Sequence, residues 1–478
     1  MKTTSESYQE GMAASFRRRS HLRISFEISG TTYTFEDDII MSASRSADVD
    51  PLSRKLPTES FDFSIIDFDG EYNPTNPSGK WAAIDENAEI TVEFGLELAG
   101  GITEWLDPDV YLLTGRPTVS GGVATFKATS RLRHLQNKYY KGVAGSHTLL
   151  ELAEDVLQDS GISSSGYALD ASLGSLTTEA PLPIDEAQNL LQMIAHAACC
   201  ALYTVGDVIT IAPIDVTSLS YNTMPFTLRD IANNGDAISK IEPLYKIKAY
   251  KYTYNTAADA DTLVNSTVDV DGSVEYHCEF DAADNVTVSI TAGATITNLQ
   301  VYASAIDCTI TGSGTFIITV TGHPISESSD TVEALESLNT DGGVDTENNR
   351  LITSDTVRSA LIYAVANYLA LRVTHTISYR GSPEVEAMDG LYFATQQSAF
   401  ATGLVLRNTI NYTGALSGQM IIKSISENDS SNAQLYDSDN EEIEDNTGNA
   451  IMVIGTEDYH SDYTGDDMDD FIEDVLGV

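Results

Sequence analysis

The sequence predicts a mainly β protein with α+β elements, and three observations carry that prediction. From about residue 21 to 130, β-branched and aromatic residues alternate with polar ones in short runs broken by Gly, Asp and Pro. Between 145 and 215 the apolar spacing lengthens to that of two helices. From 262 to 322 the chain becomes rich in Thr, Val and Ser, with no helical period. Apolar residues make up 42% of the 478, enough to bury cores in roughly three domains.

Residues 1–20 form a helical arm. Tyr8, Met12 and Phe16 stand at four-residue spacing on one face, and Arg17, Arg18 and Arg19 follow. Basic residues gathered in an acidic protein suit the acidic body of another copy, so these six are a candidate subunit contact. A helix packed on its own domain explains the same spacing.

Residues 21–144 read as a barrel or sandwich, completed by about 216–240. "LRISFEI", "TTYTF", "SFDFSII", "AEITVEFGLEL", "VYLLTG" and "VATFKATS" are its strands. The small α+β domain spans 145–215. Thr148 and Glu151 predict a capping box, Leu149, Leu152, Ala153, Val156 and Leu157 an apolar face, and Gly161 a helix end. A second helix has Asp185 as its predicted cap, and a hairpin turning at Gly206-Asp207 follows. A second β-domain is expected from 241–261 and 340–425, with a helix near 355–372. It is interrupted by an inserted β-sandwich at 262–339.

The chain carries 26 basic and 71 acidic residues, a net charge of −45. Nucleic acid and anionic membranes would be repelled by it. No Lys or Arg follows Lys423, whereas 17 Asp or Glu do, so 426–478 reads as an acidic, partly disordered tail. Within it Phe471, Ile472, Val475 and Leu476 have the spacing of a short docking helix. The four cysteines do not make a disulfide framework. No signal-peptide core and no membrane-spanning apolar run is present, which predicts a chain kept in the cytoplasm or leaving it without a signal.

Signs of chemistry are few. In "SIIDFDGEYNPTNPSGKW" (64–81), Asp67, Asp69, Glu71 and Asn73 alternate like calcium ligands. With Asp67 at position 1 of an EF-hand loop, however, the required Gly is Tyr72 and the closing Glu is Ser78. Asx-turns at Asp and Asn, fixed φ at Pro74 and Pro77, and bends at Gly70 and Gly79 describe the loop better as rigid architecture. Asp67, Asp69, Asn73, Pro74, Asn76 and Pro77 are its structural residues. His196, Cys199 and Cys200 have metal-like spacing, but "AHAACCAL" also reads as a buried small-residue helix face. No nucleophile elbow, phosphate-binding loop, dinucleotide fingerprint or zinc-protease motif occurs. The reading is of a non-enzyme with no cofactor and no metal.

The loop "DFDGEYNPTNPSGKW" resembles the D-G-x-Y-N-P-x-N-P-S segment of bacteriophage tail hub or tail-tip proteins and of related contractile injection devices. "SESYQEGMAASFRRRSHLRISFEI" is similar to their opening helix and first strand, and "SYRGSPEVEAMDGLYF" (378–393) to later hub elements. The resemblance implies two tail-tube-like β-barrels, the small α+β domain and the inserted β-sandwich. It further implies a trimer that joins a sixfold tail tube to a threefold tip around a DNA channel. Expected partners are the tail tube, distal tail, tape-measure and spike or fibre proteins, with DNA only in transit. The expected place is the virion tail, assembled in the host bacterial cytoplasm. A glycan-binding protein acting through the insert, with Tyr276, Phe280, Tyr302 and Phe316 as stacking residues, is the alternative.

Overall fold

Alternation in the first hundred residues folds into strands with one apolar face. The computed structural model describes residues 1–13, 18–214, 226–240, 244–337, 343–369, 371–394 and 401–424, and three two-residue strands beyond them. Phe16, Arg17 and the predicted docking helix of the tail lie outside the described residues. Helix α1 (Glu6–Ala13) leads into β1 (Ser20–Ile28), β2 (Thr31–Glu36), β3 (Ile40–Asp48) and β4 (Thr58–Ile66). Next come β5 (Glu89–Glu97), β6 (Thr103–Trp105), β7 (Asp109–Leu113), β8 (Thr118–Ser120) and β9 (Val123–Thr129).

These strands belong to a 14-stranded sheet that also contains the late strands Ile231–Lys240, Val373–Tyr379, Gly390–Phe393, Ala401–Tyr412 and Leu416–Ser424. The two sets join where Ala401–Tyr412 pairs antiparallel with β3, from Arg407 opposite Asp48 to Tyr412 opposite Ala43. The strand order therefore runs unbroken across both halves, although each half has its own core. The first core is aromatic: Phe63 stacks on Phe126 at 4.7 Å, and Phe26, Phe61 and Tyr72 surround them. The second is smaller and mostly aliphatic, built on Ile377, Val385, Leu391, Phe393, Val405, Met420 and Ile422.

The capping box of α2 (Leu149–Asp159) forms as the sequence predicts, with Thr148 and Glu151 exchanging hydrogen bonds at 3.1 and 2.9 Å. Helix α3 (Ala187–Ala197) starts after Glu186 instead of at Asp185. Asp185 accepts from the Asn189 side chain at 2.9 Å, while its backbone pairs with Tyr139. The hairpin after α3 turns at Gly206-Asp207, with Val205 opposite Val208.

Two expectations about boundaries change. Ile231–Lys240 pairs with Val373–Tyr379 of the second half, so it does not complete the first. Leu244–Thr256, placed by the sequence in the second barrel, pairs instead with Ala305–Ser337 and Gly343–Glu347. The reason is that Ala305–Ser337 runs on for 33 residues, serving the insert first and Leu244–Thr256 afterwards. The insert itself is one antiparallel sheet curled over its core. Its central strand lies between Asp261–Glu279 on one edge and the end-to-end pair Ala283–Ile290 and Thr295–Val301 on the other. Helix α4 (Asp355–Leu369) packs against Leu244–Thr256.

Candidate functional site

The loop after β4 is held by its own polar side chains. Asp67, nearly buried, accepts from the Glu71 and Tyr72 amides at 2.7 and 3.2 Å. Asn73 accepts from the Thr75 amide at 3.0 Å, and Asn76 from the Ser78 amide at 3.1 Å. The Asn76 side chain also donates to the Gly70 carbonyl at 2.9 Å. The Asn73 and Asn76 bonds are Asx-turns, and Asp67 satisfies two further backbone donors a turn later. A Cβ at Gly79 would lie 2.5 Å from the Glu71 carbonyl oxygen, so only glycine fits there. Tyr72 anchors the loop in the first core against Phe126, and Lys80 pairs with Glu71 over the Tyr33 ring. Two carboxylate oxygens of Asp67 already serve amides, which fits a structural loop better than a cation site.

That rigid loop presents Phe68 to solvent at 82% exposure. Ile66, Ile39 and Met41 are exposed beside it, linked by the hydrogen bond from the Ile66 amide to the Ile39 carbonyl at 3.0 Å. No periodicity argument singles out this patch, because its residues come from two strand ends.

The described arm residues make contacts within their own chain. Tyr8 is 1% exposed and, like Met12, packs in the first core of its own chain. Arg18 pairs with Asp230 at 2.5 Å, and Arg19 with Glu97 at 2.9 Å. An apolar helix stripe is buried at the nearest available face, which here is intramolecular.

Sequence reading missed a buried charge cluster at the junction of the halves. Arg45, on the polar-looking strand "IMSASRSAD", donates to Asp109 at 2.9 Å and to the carbonyls of Pro383 and Val385 at 3.2 Å each. Lys2 donates to Asp109 at 2.5 Å, and its backbone N–H to the Glu384 carbonyl at 2.9 Å. Burial alone would raise the Asp109 carboxyl, but Arg45 and Lys2 hold it below the ordinary carboxylate range. Glu59 faces no such cation, and burial pushes it up to about 7. No local signal marks this cluster, because Arg45 and its partners lie far apart along the chain.

His196, the metal-like candidate, has both ring nitrogens engaged: Nε2 faces Glu347 at 2.8 Å and Nδ1 faces the Asn349 amide at 3.1 Å. Cys200 is buried. The aromatics of the insert do not assemble a stacking platform. Phe316 is buried, Tyr276 and Phe280 pack on the insert's core, and Tyr302 meets Tyr140 at 5.9 Å.

Comparison with solved structures finds similarities at TM-scores below 0.5. It is similar to a tail protein from Neisseria meningitidis, covering 84% of this chain and 96% of that one at 10% identity and a TM-score of 0.45. It is similar to the 43 kDa tail protein of prophage MuSo2 from Shewanella oneidensis, with 84% and 96% covered, 10% identity and a TM-score of 0.46. It is also similar to the Escherichia coli c3393 protein, a component of the type VI secretion system, with 85% and 77% covered, 8% identity and a TM-score of 0.39. No family model matches the chain, and no curated protein does.

Proposed function

We propose that the chain is a structural hub of a phage-like tail, which joins a sixfold tail tube to a threefold tip and surrounds the DNA channel. The observation that carries this reading is the continuous sheet with two cores and two open ends. Among the described residues, β2 pairs with β1 alone, and Ile231–Lys240 with Val373–Tyr379 alone. The ends are different strands, so a neighbour added at one end presents its other end onward. That contact is head-to-tail and closes a ring at the right rotation. Two tube-like barrels from each of three copies would then make a ring of six similar units.

The rigid loop after β4, which carries the sequence resemblance, supports the same reading, because a geometric adaptor needs stiff contact points. Its exposed Phe68 suits a contact with a neighbouring tail component. The role is architectural rather than catalytic. Its partners are a second copy of itself, the tail tube, the distal tail, tape-measure and spike or fibre proteins, and DNA passes without adhering because the chain is acidic. Light scattering and single-particle imaging of the purified protein, alone and with tail-tube protein, test this. A threefold ring with sixfold-like density is expected. A monomer that stays apart from tail-tube protein overturns it.

A further inference from the structure

The insert buries its apolar residues unevenly. Along its central strand Ile306, Cys308, Ile310, Phe316, Ile318 and Val320 are buried in its core. On the neighbouring Asp261–Glu279 strand, Val264, Val268, Val274, Tyr276 and Cys278 pack on the same core but stay half-buried. The difference is one of neighbours. The central strand is flanked on both sides, whereas Asp261–Glu279, among the described residues, pairs with the central strand alone. Such an edge leaves a row of backbone donors and acceptors without a strand partner.

The solvent face of that edge is acidic. Asp269, Asp271, Glu275 and Glu279 alternate with the core-facing residues and are exposed, and no Lys or Arg occurs between Lys251 and Arg350. Lys138 pairs with Glu279 at 2.6 Å. Asp269 and Glu275 instead accept from the Thr315 and Thr309 hydroxyls at 2.6 and 3.1 Å, which fixes both carboxylates in place without cancelling their charge. The strand bends at Gly272, whose φ is +88°, so the hydroxyls of Ser266 and Tyr276 meet at 2.6 Å. Its pairing is nevertheless unbroken from Val264 to Glu279. The opposite edge is a poorer template, because it is divided into Ala283–Ile290 and Thr295–Val301 with a register shift in each, and Asp284 is its one charged residue.

We propose that the Asp261–Glu279 edge docks an extended segment of another protein in which apolar residues alternate with Lys or Arg. The added strand takes up the unpaired backbone groups, sets its apolar side chains over the half-buried valines and brings its cations beside Asp269 and Glu275. Charge selects this occupant. A second copy carries the same acidic row to the contact and is repelled, and the residues beyond Lys423 contain no Lys or Arg. The surface belongs to the insert's sheet and not to the large sheet, so it is separate from the ring contacts proposed above.

Titration of the full chain with a labelled, end-capped heptapeptide alternating valine and lysine tests this, read by fluorescence anisotropy and by hydrogen exchange. Binding is expected to weaken as salt rises, and to slow exchange in fragments covering Val264–Glu279. Asp269→Lys combined with Glu275→Lys weakens it about tenfold or more, while both exposed positions tolerate the change in the fold. Equal binding by a heptapeptide of the same composition with its valines clustered, or by one with glutamate in place of lysine, overturns the proposal. So does a failure to bind. Slow exchange along the whole edge before any peptide is added also overturns it, since the chain's own tail or a second copy then covers the strand.

Discussion

The two halves of the large sheet share one hydrogen-bonded order but are held together by different physics. The first is filled with aromatic rings in contact: Phe63 on Phe126, Phe26 against both, and Phe61 on Tyr111 at 5.5 Å. The second has fewer apolar residues and relies on polar groups that are buried and hydrogen-bonded to one another. Tyr379 donates to Asn408 at 2.7 Å, Asn408 donates to Val385 at 2.8 Å, and Ser382 donates to Glu384 at 2.6 Å. Dry packing carries no group that titrates, whereas buried polar networks depend on every partner staying in its protonation state. One continuous sheet can therefore contain a stable platform and a responsive edge.

The largest expected effect breaks the platform. Phe63→Ala should lower stability by about 3–5 kcal/mol through its cavity, seen as a reduced urea midpoint that moves equally at pH 5.5 and pH 8. Arg45→Ala removes the cation of a buried pair and should cost about 3 kcal/mol or more, because Asp109 is left charged. If its loss showed no more pH dependence than that of Phe63→Ala, the contrast between the halves would fail. Glu59→Gln sharpens the contrast with the opposite sign. It should change little below pH 4.5 and stabilise by up to about 3 kcal/mol at pH 8, where the wild type must ionise a buried carboxyl raised to about 7. Thermal melts across that range read the difference directly. Asp67→Ala, which strips two amides of their acceptor, should cost about 1–2 kcal/mol and leave the sheet intact by circular dichroism. Phe68→Ala should alter stability by less than about 0.5 kcal/mol, and under the proposed function it weakens association with tail-tube protein in sedimentation. Loss of stability there would make Phe68 a packing residue instead of a contact.

Legibility followed the range over which each feature is determined. Phe61, Phe63 and Ile65 alternate along β4, and the capping box of α2 closes within three residues, so both could be read directly. The loop of Asp67, Asn73 and Asn76 could be read too, since its side-chain bonds reach only two to five residues on. The charge cluster could not: Arg45 reaches Val385 across 340 positions, and nothing local to "SASRSAD" marks it as buried. The helical spacing of Tyr8 and Met12 was visible, but not which surface would cover it.

Composition, strand and helix periods, turn chemistry and the stiffness of the loop are therefore properties of the sequence itself. Tertiary structure alone decided that Leu244–Thr256 pairs within the insert's sheet, that Ile231–Lys240 joins the second half, and that Tyr8 and Met12 are buried in the first core of their own chain. A strand's alternation says which face is apolar but not which partner completes its hydrogen bonds. That choice is made by the packing of surfaces brought together from distant parts of the chain.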